Sequence, residues 1–161
     1  MIVSERTLKW GLCFYPPFLF QRIWVRKFHK GFRRVDVKIN KSLFNKNYNS
    51  SIFGGTIYAA TDPFYALLFD QLLQREGFKV RVWLKSASIQ YLKPGRTDLF
   101  FTVTISDEML TEAILALNTV GKFVKAYPME ITNSSGELCA TVMNEVYIRS
   151  LHLGEIPRIA Y

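Results

Sequence analysis

Residues 53–73 read FGGTIYAATDPFYALLFDQLL, and from Thr56 to Leu73 the stretch is apolar nearly all round. An exposed helix keeps a polar face toward water, so a helix without one belongs inside the fold. Working outward, Val35, Val37 and Ile39 alternate with Asp36, Lys38 and Asn40, the period of two of a half-buried strand. Downstream, Val80, Val82 and Leu84 lead into Ile89 and Tyr91. Leu99, Phe101, Val103 and Ile105 alternate with Phe100, Thr102 and Thr104, while Leu138, Ala140, Val142, Val146 and Ile148 share one parity. These runs predict further strands. A second helix is predicted over about 107–119, with Ser106 or Asp107 as N-cap, acids in its first turn and Gly121 just past its end. Asn133-Ser134-Ser135-Gly136 reads as the turn joining the last two strands. The order of strand, loop, buried helix and antiparallel strands makes an α+β domain with one helix against a curling sheet.

The chain has 161 residues, 49% hydrophobic and 15% aromatic, which suits one domain with a substantial core and excludes the disordered class. Its formal charge of +8 directs attention to nucleic acid or anionic membrane. The charge is localised. Eleven of the 21 Lys and Arg but two of the 13 acids fall in residues 1–46, so that segment carries +9 and the remainder −1. No nucleic-acid motif accompanies the charge, and nucleic acid is not expected as a partner.

Pro16-Pro17 divides the first 32 residues into two helical pieces. In the second, Leu19, Ile23 and Phe28, with Phe20 and Trp24, form an apolar stripe, while Arg22, Arg26 and Lys30 line another face at i, i+4 spacing. Such a basic amphipathic helix either packs its stripe on the domain with its cations in water, or lies over residues 18–34 as a peripheral contact on an anionic membrane. The expected organisation is a helical extension over 1–32, a core over 33–150 and a tail over 151–161. Cys13 and Cys139 are isolated, so no disulfide framework or metal site is expected, and a reducing, cytoplasmic setting fits. The apolar run from Trp10 to Phe20 is broken by the prolines and falls short of the roughly 20 residues of a spanning helix. It also lacks the cleavage pattern of a signal peptide.

Between Lys46 and Asp70 the only formal charge is Asp62, set among apolar neighbours. Burying an unpaired carboxylate costs several kcal/mol, so the group is paired, protonated or turned to a pocket. A desolvated carboxylate of raised pKa is the usual general base or acid. The other reading makes Asp62 the N-cap and Pro63 the first residue of a helix start, with the carboxylate occupied by backbone N–H groups. Either way Pro63 predicts a kink or restart. Gly54-Gly55 heads the predicted helix, where unsatisfied N–H groups form a site for negative charge such as a developing oxyanion. Asp62 follows Gly55 by seven residues, roughly 10 Å along a helix axis, so one reacting carbon does not reach both. If they cooperate, they come from different chains of a dimer.

These residues carry a resemblance. Asn47, Phe53-Gly54-Gly55 and Asp62 resemble the Asn-x5-His-Gly-Gly-x6-Asp signature of PaaI-type hotdog-fold acyl-CoA thioesterases, and Ile89-Gln90-Tyr91-Leu92-Lys93-Pro94-Gly95 looks like that family's strand motif. A nearer likeness is to an uncharacterised family of the same superfamily, through Pro16-Pro17, Asn45, Asn47, Tyr48, Asp62-Pro63-Phe64-Tyr65, Val82-Trp83 and Tyr147-Ile148-Arg149. The resemblance implies a hotdog fold, an antiparallel sheet wrapped round a long central helix, in a homodimer or homotetramer with sites between subunits. By position it implies Asp62 as general base or nucleophile, Gly55 as donor to the thioester carbonyl and Asn47 as an orienting side chain. Phe53, Gly54, Thr56, Ile89 and Tyr91 would line the substrate site, with coenzyme A entering as part of the substrate and no separate cofactor or metal. Phe53 stands where the better-studied enzymes have His, and Ser50 replaces a Gly that the nearer family tends to show. The expected function is acyl thioester hydrolysis; a non-catalytic acyl-CoA or lipid-binding module is the alternative.

Overall fold

The computed structural model describes residues 2–151. The chain opens with α1 (Glu5–Phe14), capped by Ser4, whose hydroxyl accepts from the Thr7 N–H, and α2 (Pro16–Gln21), which begins on the proline pair. Arg22 then takes a left-handed conformation (φ 60°, ψ 36°) and Ile23–Phe28 forms a strand, β1. The basic amphipathic helix expected over residues 18–34 is therefore corrected: helix ends at Gln21, and Arg22, Arg26 and Lys30 share no helical face. The reason is a partner distant in sequence. β1 pairs antiparallel with β2 (Arg34–Ile39), from Ile23 opposite Ile39 to Phe28 opposite Val35. Ile23 and Val25 turn into the core, while Trp24 and Arg26 lie on the outer face. Ladder hydrogen bonds and this burial outweigh the weak helix preference of an Ile-Trp-Val run. The expected boundary at 32/33 thus separates β1 from a sheet to which it belongs.

The sheet is completed by β3 (Val80–Tyr91), β4 (Leu99–Thr104), β5 (Lys122–Asn133) and β6 (Leu138–Ser150). Its order is β1-β2-β4-β5-β6-β3, with every pair antiparallel. The predicted second helix is α5 (Asp107–Val120), with Ser106 accepting from the Met109 N–H and Gly121 left-handed at φ 70° past its end. The turn over Asn133–Gly136 joins β5 to β6.

The central helix is interrupted as Pro63 requires, into α3 (Gly54–Thr61) and α4 (Phe64–Arg75). Its interior side chains pack directly on the sheet: Phe64 lies edge-on to Phe101 at 5.7 Å and Phe69 lies 6.2 Å from Phe123. Leu68, Phe69 and Leu73 are fully buried. Each such side chain contributes on the order of 2 kcal/mol relative to exposure. A six-stranded antiparallel sheet around an enclosed helix is the hotdog arrangement. Among the described residues the sheet has two edges, β1 and β3, and the twelve-residue β3 has no strand on its outer side. Among the described residues no helix is long and apolar enough to cross a membrane. The expected tail lies, beyond Leu151, outside the described residues.

Candidate active site

The head of α3 is built by close aromatic approach. Tyr91, at the end of β3, donates its hydroxyl to the Gly54 carbonyl at 2.9 Å, and a Cβ on Gly54 would lie 3.0 Å from its ring. A Cβ on Gly55 would lie 2.4 Å from the Phe53 ring. Both glycines have ordinary backbone angles, so what favours Gly here is ring approach, by Tyr91 at Gly54 and by the exposed, movable Phe53 at Gly55. As the first residues of α3 they present N–H groups without intrahelical acceptors. Burial, with the neighbouring Tyr58 adding to it, pushes the Tyr91 hydroxyl up, so it stays a donor at neutral pH.

Asn47, Gly54 and Tyr91 line one groove of about 390 Å³, with Lys93, Pro94 and Gly95. Asn47 is engaged in its own loop: its Oδ1 accepts from the Asn49 N–H at 3.0 Å and the Ser51 N–H at 3.1 Å, and its Nδ2 donates to Ser51 Oγ at 2.9 Å. One N–H of its amide remains for another partner. Ser50, inside this loop, has φ 61°, a left-handed conformation that favours Gly. Phe53 and Gly55 are exposed beside the groove, Thr56 is buried in α3, and Ile89 is half-buried on β3.

Asp62 stands apart, in a second groove of about 610 Å³ between the kink and the first half of β3, lined also by Pro63, Asp70, Arg81 and Trp83. Its backbone is helical (φ −56°, ψ −56°), which rules out an N-cap, and Pro63 holds that position for α4. The Asp62 side chain is open to solvent in this groove, nothing among the described residues hydrogen-bonds the carboxylate, and partial desolvation raises its pKa from 3.8. The reading in which backbone N–H groups occupy Asp62 is corrected. Within one chain, then, Asp62 and Gly55 are not brought to a common groove: the Asp62 groove runs along the first half of β3, and the groove at the head of α3 meets β3 only at its last residue, Tyr91.

The sequence reading passed over Asn144. It sits on β6 at 0% exposure and donates Nδ2 to the Thr61 carbonyl at 2.8 Å, the residue immediately before Asp62. The signal was present, since Asn144 is a polar residue on the parity of Leu138, Ala140, Val142, Val146 and Ile148.

The family model described as "Domain of unknown function (DUF4442)" matches residues 4–148. No curated protein matches the chain. Among solved structures, PA5026 from Pseudomonas aeruginosa, described as a probable thioesterase, is similar at 15% identity and TM-score 0.79, covering 93% of this chain and 98% of its own. Thioesterase HI1161 from Haemophilus influenzae is similar at 12% identity and TM-score 0.68, with 94% of each chain covered. The E. coli PaaI protein is similar at 15% identity and TM-score 0.60, covering 89% and 95%. At such identities the likeness is one of fold.

Proposed function

From a chain that belongs to the DUF4442 family and carries a hotdog fold, we propose an acyl thioester hydrolase, with acyl-CoA as its substrate class and its site completed between two copies of the chain. The observation that carries the reading is the position of Asp62: a solvent-reached carboxylate, raised in pKa by partial desolvation and without a hydrogen-bond partner among the described residues, that faces a groove along the edge strand β3. A homodimer, alone or paired into a tetramer, would bring Asp62 of one protomer toward Gly55 of the other. The solved thioesterases of like fold support this reading, and the buried thiols Cys13 and Cys139 fit a reducing cytoplasm.

The Gly55 N–H polarises the thioester carbonyl, and Asp62 takes a proton from water as its oxygen attacks the carbonyl carbon. The tetrahedral oxyanion rests on the helix N-terminus. Its collapse breaks the C–S bond, Asp62 returns the proton to the thiolate, and a carboxylic acid and a free thiol leave. Purified protein should hydrolyse members of an acyl-CoA chain-length panel, and Asp62→Ala should lower kcat by a factor of about 100 or more. Unchanged turnover in Asp62→Ala would sink the mechanism. A second reading, an acyl-CoA or lipid-binding module without turnover, is favoured by Phe53, whose apolar ring lies against Gly55 where the better-studied enzymes have His. Saturable acyl-CoA binding without hydrolysis by the unaltered chain would select it.

A further inference from the structure

On the outer face of the sheet, at its β1 end, Arg22, Trp24, Arg26, Lys38, Asn40 and Lys41 line a groove of about 500 Å³. Lys38 is paired with Asp98 at 2.8 Å, and the same carboxyl group accepts from the Lys41 N–H. The side chains of Arg22, Arg26 and Lys41 have no carboxylate partner among the described residues. The groove ends on a turn that holds two apolar side chains in water, Leu43 at 84% and Phe44 at 70% exposure.

That turn is firmly held. Asn45, only 3% exposed, accepts from the Ser42 N–H at 2.9 Å and donates to the Gln21 and Asn40 carbonyls, both at 2.8 Å. The Arg22 guanidinium lies over the Phe44 ring at 5.1 Å. A buried, satisfied Asn thus fixes an exposed Leu-Phe tip beside three cations, and large apolar side chains held in solvent mark an interaction surface.

We propose that this surface docks on an anionic phospholipid bilayer, with Leu43 and Phe44 entering the interface and Arg22, Arg26 and Lys41 meeting lipid phosphates. Charge selects this occupant. A second copy would set the same cations against their own kind, within a segment that carries +9 over residues 1–46. A nucleic acid strand would answer the cations but gives Leu43 no role, since bases stack on rings. A bilayer answers both, through its negative surface potential and its apolar depth. The membrane contact anticipated through a helix over 18–34 is carried instead by β1 and the 40–46 turn. The surface lies at the opposite end of the sheet from β3, so docking and pairing through β3 are compatible, and docking does not depend on hydrolysis at Asp62.

Cosedimentation of the full chain with vesicles of phosphatidylcholine alone, or mixed with phosphatidylglycerol, tests this. Binding is expected to the mixed vesicles only, and to fall as salt screens the charges. The double substitution Arg22→Ala/Arg26→Ala should weaken it about thirtyfold, and Leu43→Ser/Phe44→Ser should abolish it, with thermal unfolding little changed. Should either double variant fail to fold, Arg26→Ala and the salt titration of the unaltered chain decide. Equal binding to both vesicle types, binding to neither, insensitivity to these substitutions and to salt, or displacement by an equimolar single-stranded oligonucleotide would each overturn the proposal.

Discussion

Asn144, fully buried on β6, donates its amide to the Thr61 carbonyl at 2.8 Å and so ties the sheet to the residue before Asp62. The last carbonyls of a helix lack intrahelical partners, and α3 ends at Thr61. Asn144→Ala leaves that carbonyl unpaired and opens a small void, for a loss of about 2 kcal/mol. Urea unfolding measures it. If hydrolysis depends on the kink, kcat falls in the same variant at substrate saturation, whereas a purely structural bond leaves kcat in the folded fraction unchanged.

Gly55→Ala places a Cβ where the Phe53 ring now lies, 2.4 Å away, and the ring, 58% exposed, is free to swing aside. Ala is a better helix former than Gly, so stability should change by less than about 1 kcal/mol. On the proposed function Phe53 borders the substrate groove beside Gly54 and Tyr91, so a ring displaced into that groove should raise KM for acyl-CoA several-fold. Adding Phe53→Ala should restore KM; a double variant as impaired as the single one argues that Gly55 matters for its own backbone.

Ser50 at φ 61° carries strain that a Gly would not. The left-handed conformation costs an L residue about 1 kcal/mol, partly offset because Gly adds freedom to the unfolded chain. Ser50→Gly should therefore stabilise by about 0.5 kcal/mol, read as a higher urea midpoint at unchanged slope.

Most of the fold was legible because its signals are local. The Ser106 cap, the turn at 133–136, the alternation in four strands and the break at Pro63 need no knowledge of distant partners. β1 was not legible, because Leu19, Ile23 and Phe28 satisfy helical spacing while Ile23 and Val25 satisfy alternation equally well. Only pairing with β2 decides between them. The site divides in the same way. Residue types at Asn47, Gly55 and Asp62 were visible, but the loop bonds that occupy Asn47, the ring over Gly55 and the helical backbone of Asp62 are consequences of tertiary packing.

Asp36 predicts the acid limb of stability. Burial, the largest influence, pushes its carboxyl up, but hydrogen bonds from His29, Arg34 and Thr102 together outweigh it and hold the pKa below 3.8. A depressed folded pKa contributes stability that is present above the unfolded value and lost as pH falls through the folded one. Asp36→Asn should cost about 2 kcal/mol at neutral pH, and the difference from the unaltered chain should shrink below about pH 4. Thermal melts at neutral and acid pH check this.

Asp62 carries the opposite sign. Partial desolvation raises its pKa above 3.8, so the folded chain holds the proton more tightly than the unfolded one, and stability is lost as pH rises from the unfolded value through the folded one. At neutral pH the ionised carboxylate is a standing cost, which Asp62→Asn removes while keeping shape. Discounted for the solvent that still reaches the group, the gain is about 0.5 kcal/mol. The same variant should lose hydrolysis, because an amide takes no proton from water. In the unaltered chain the rate should rise with pH through an acid limb lying above the 3.8 of an ordinary Asp carboxyl. A chain that is more stable and inactive as Asp62→Asn places the carboxylate in the reaction; one that is more stable and fully active reduces it to an ill-matched surface charge.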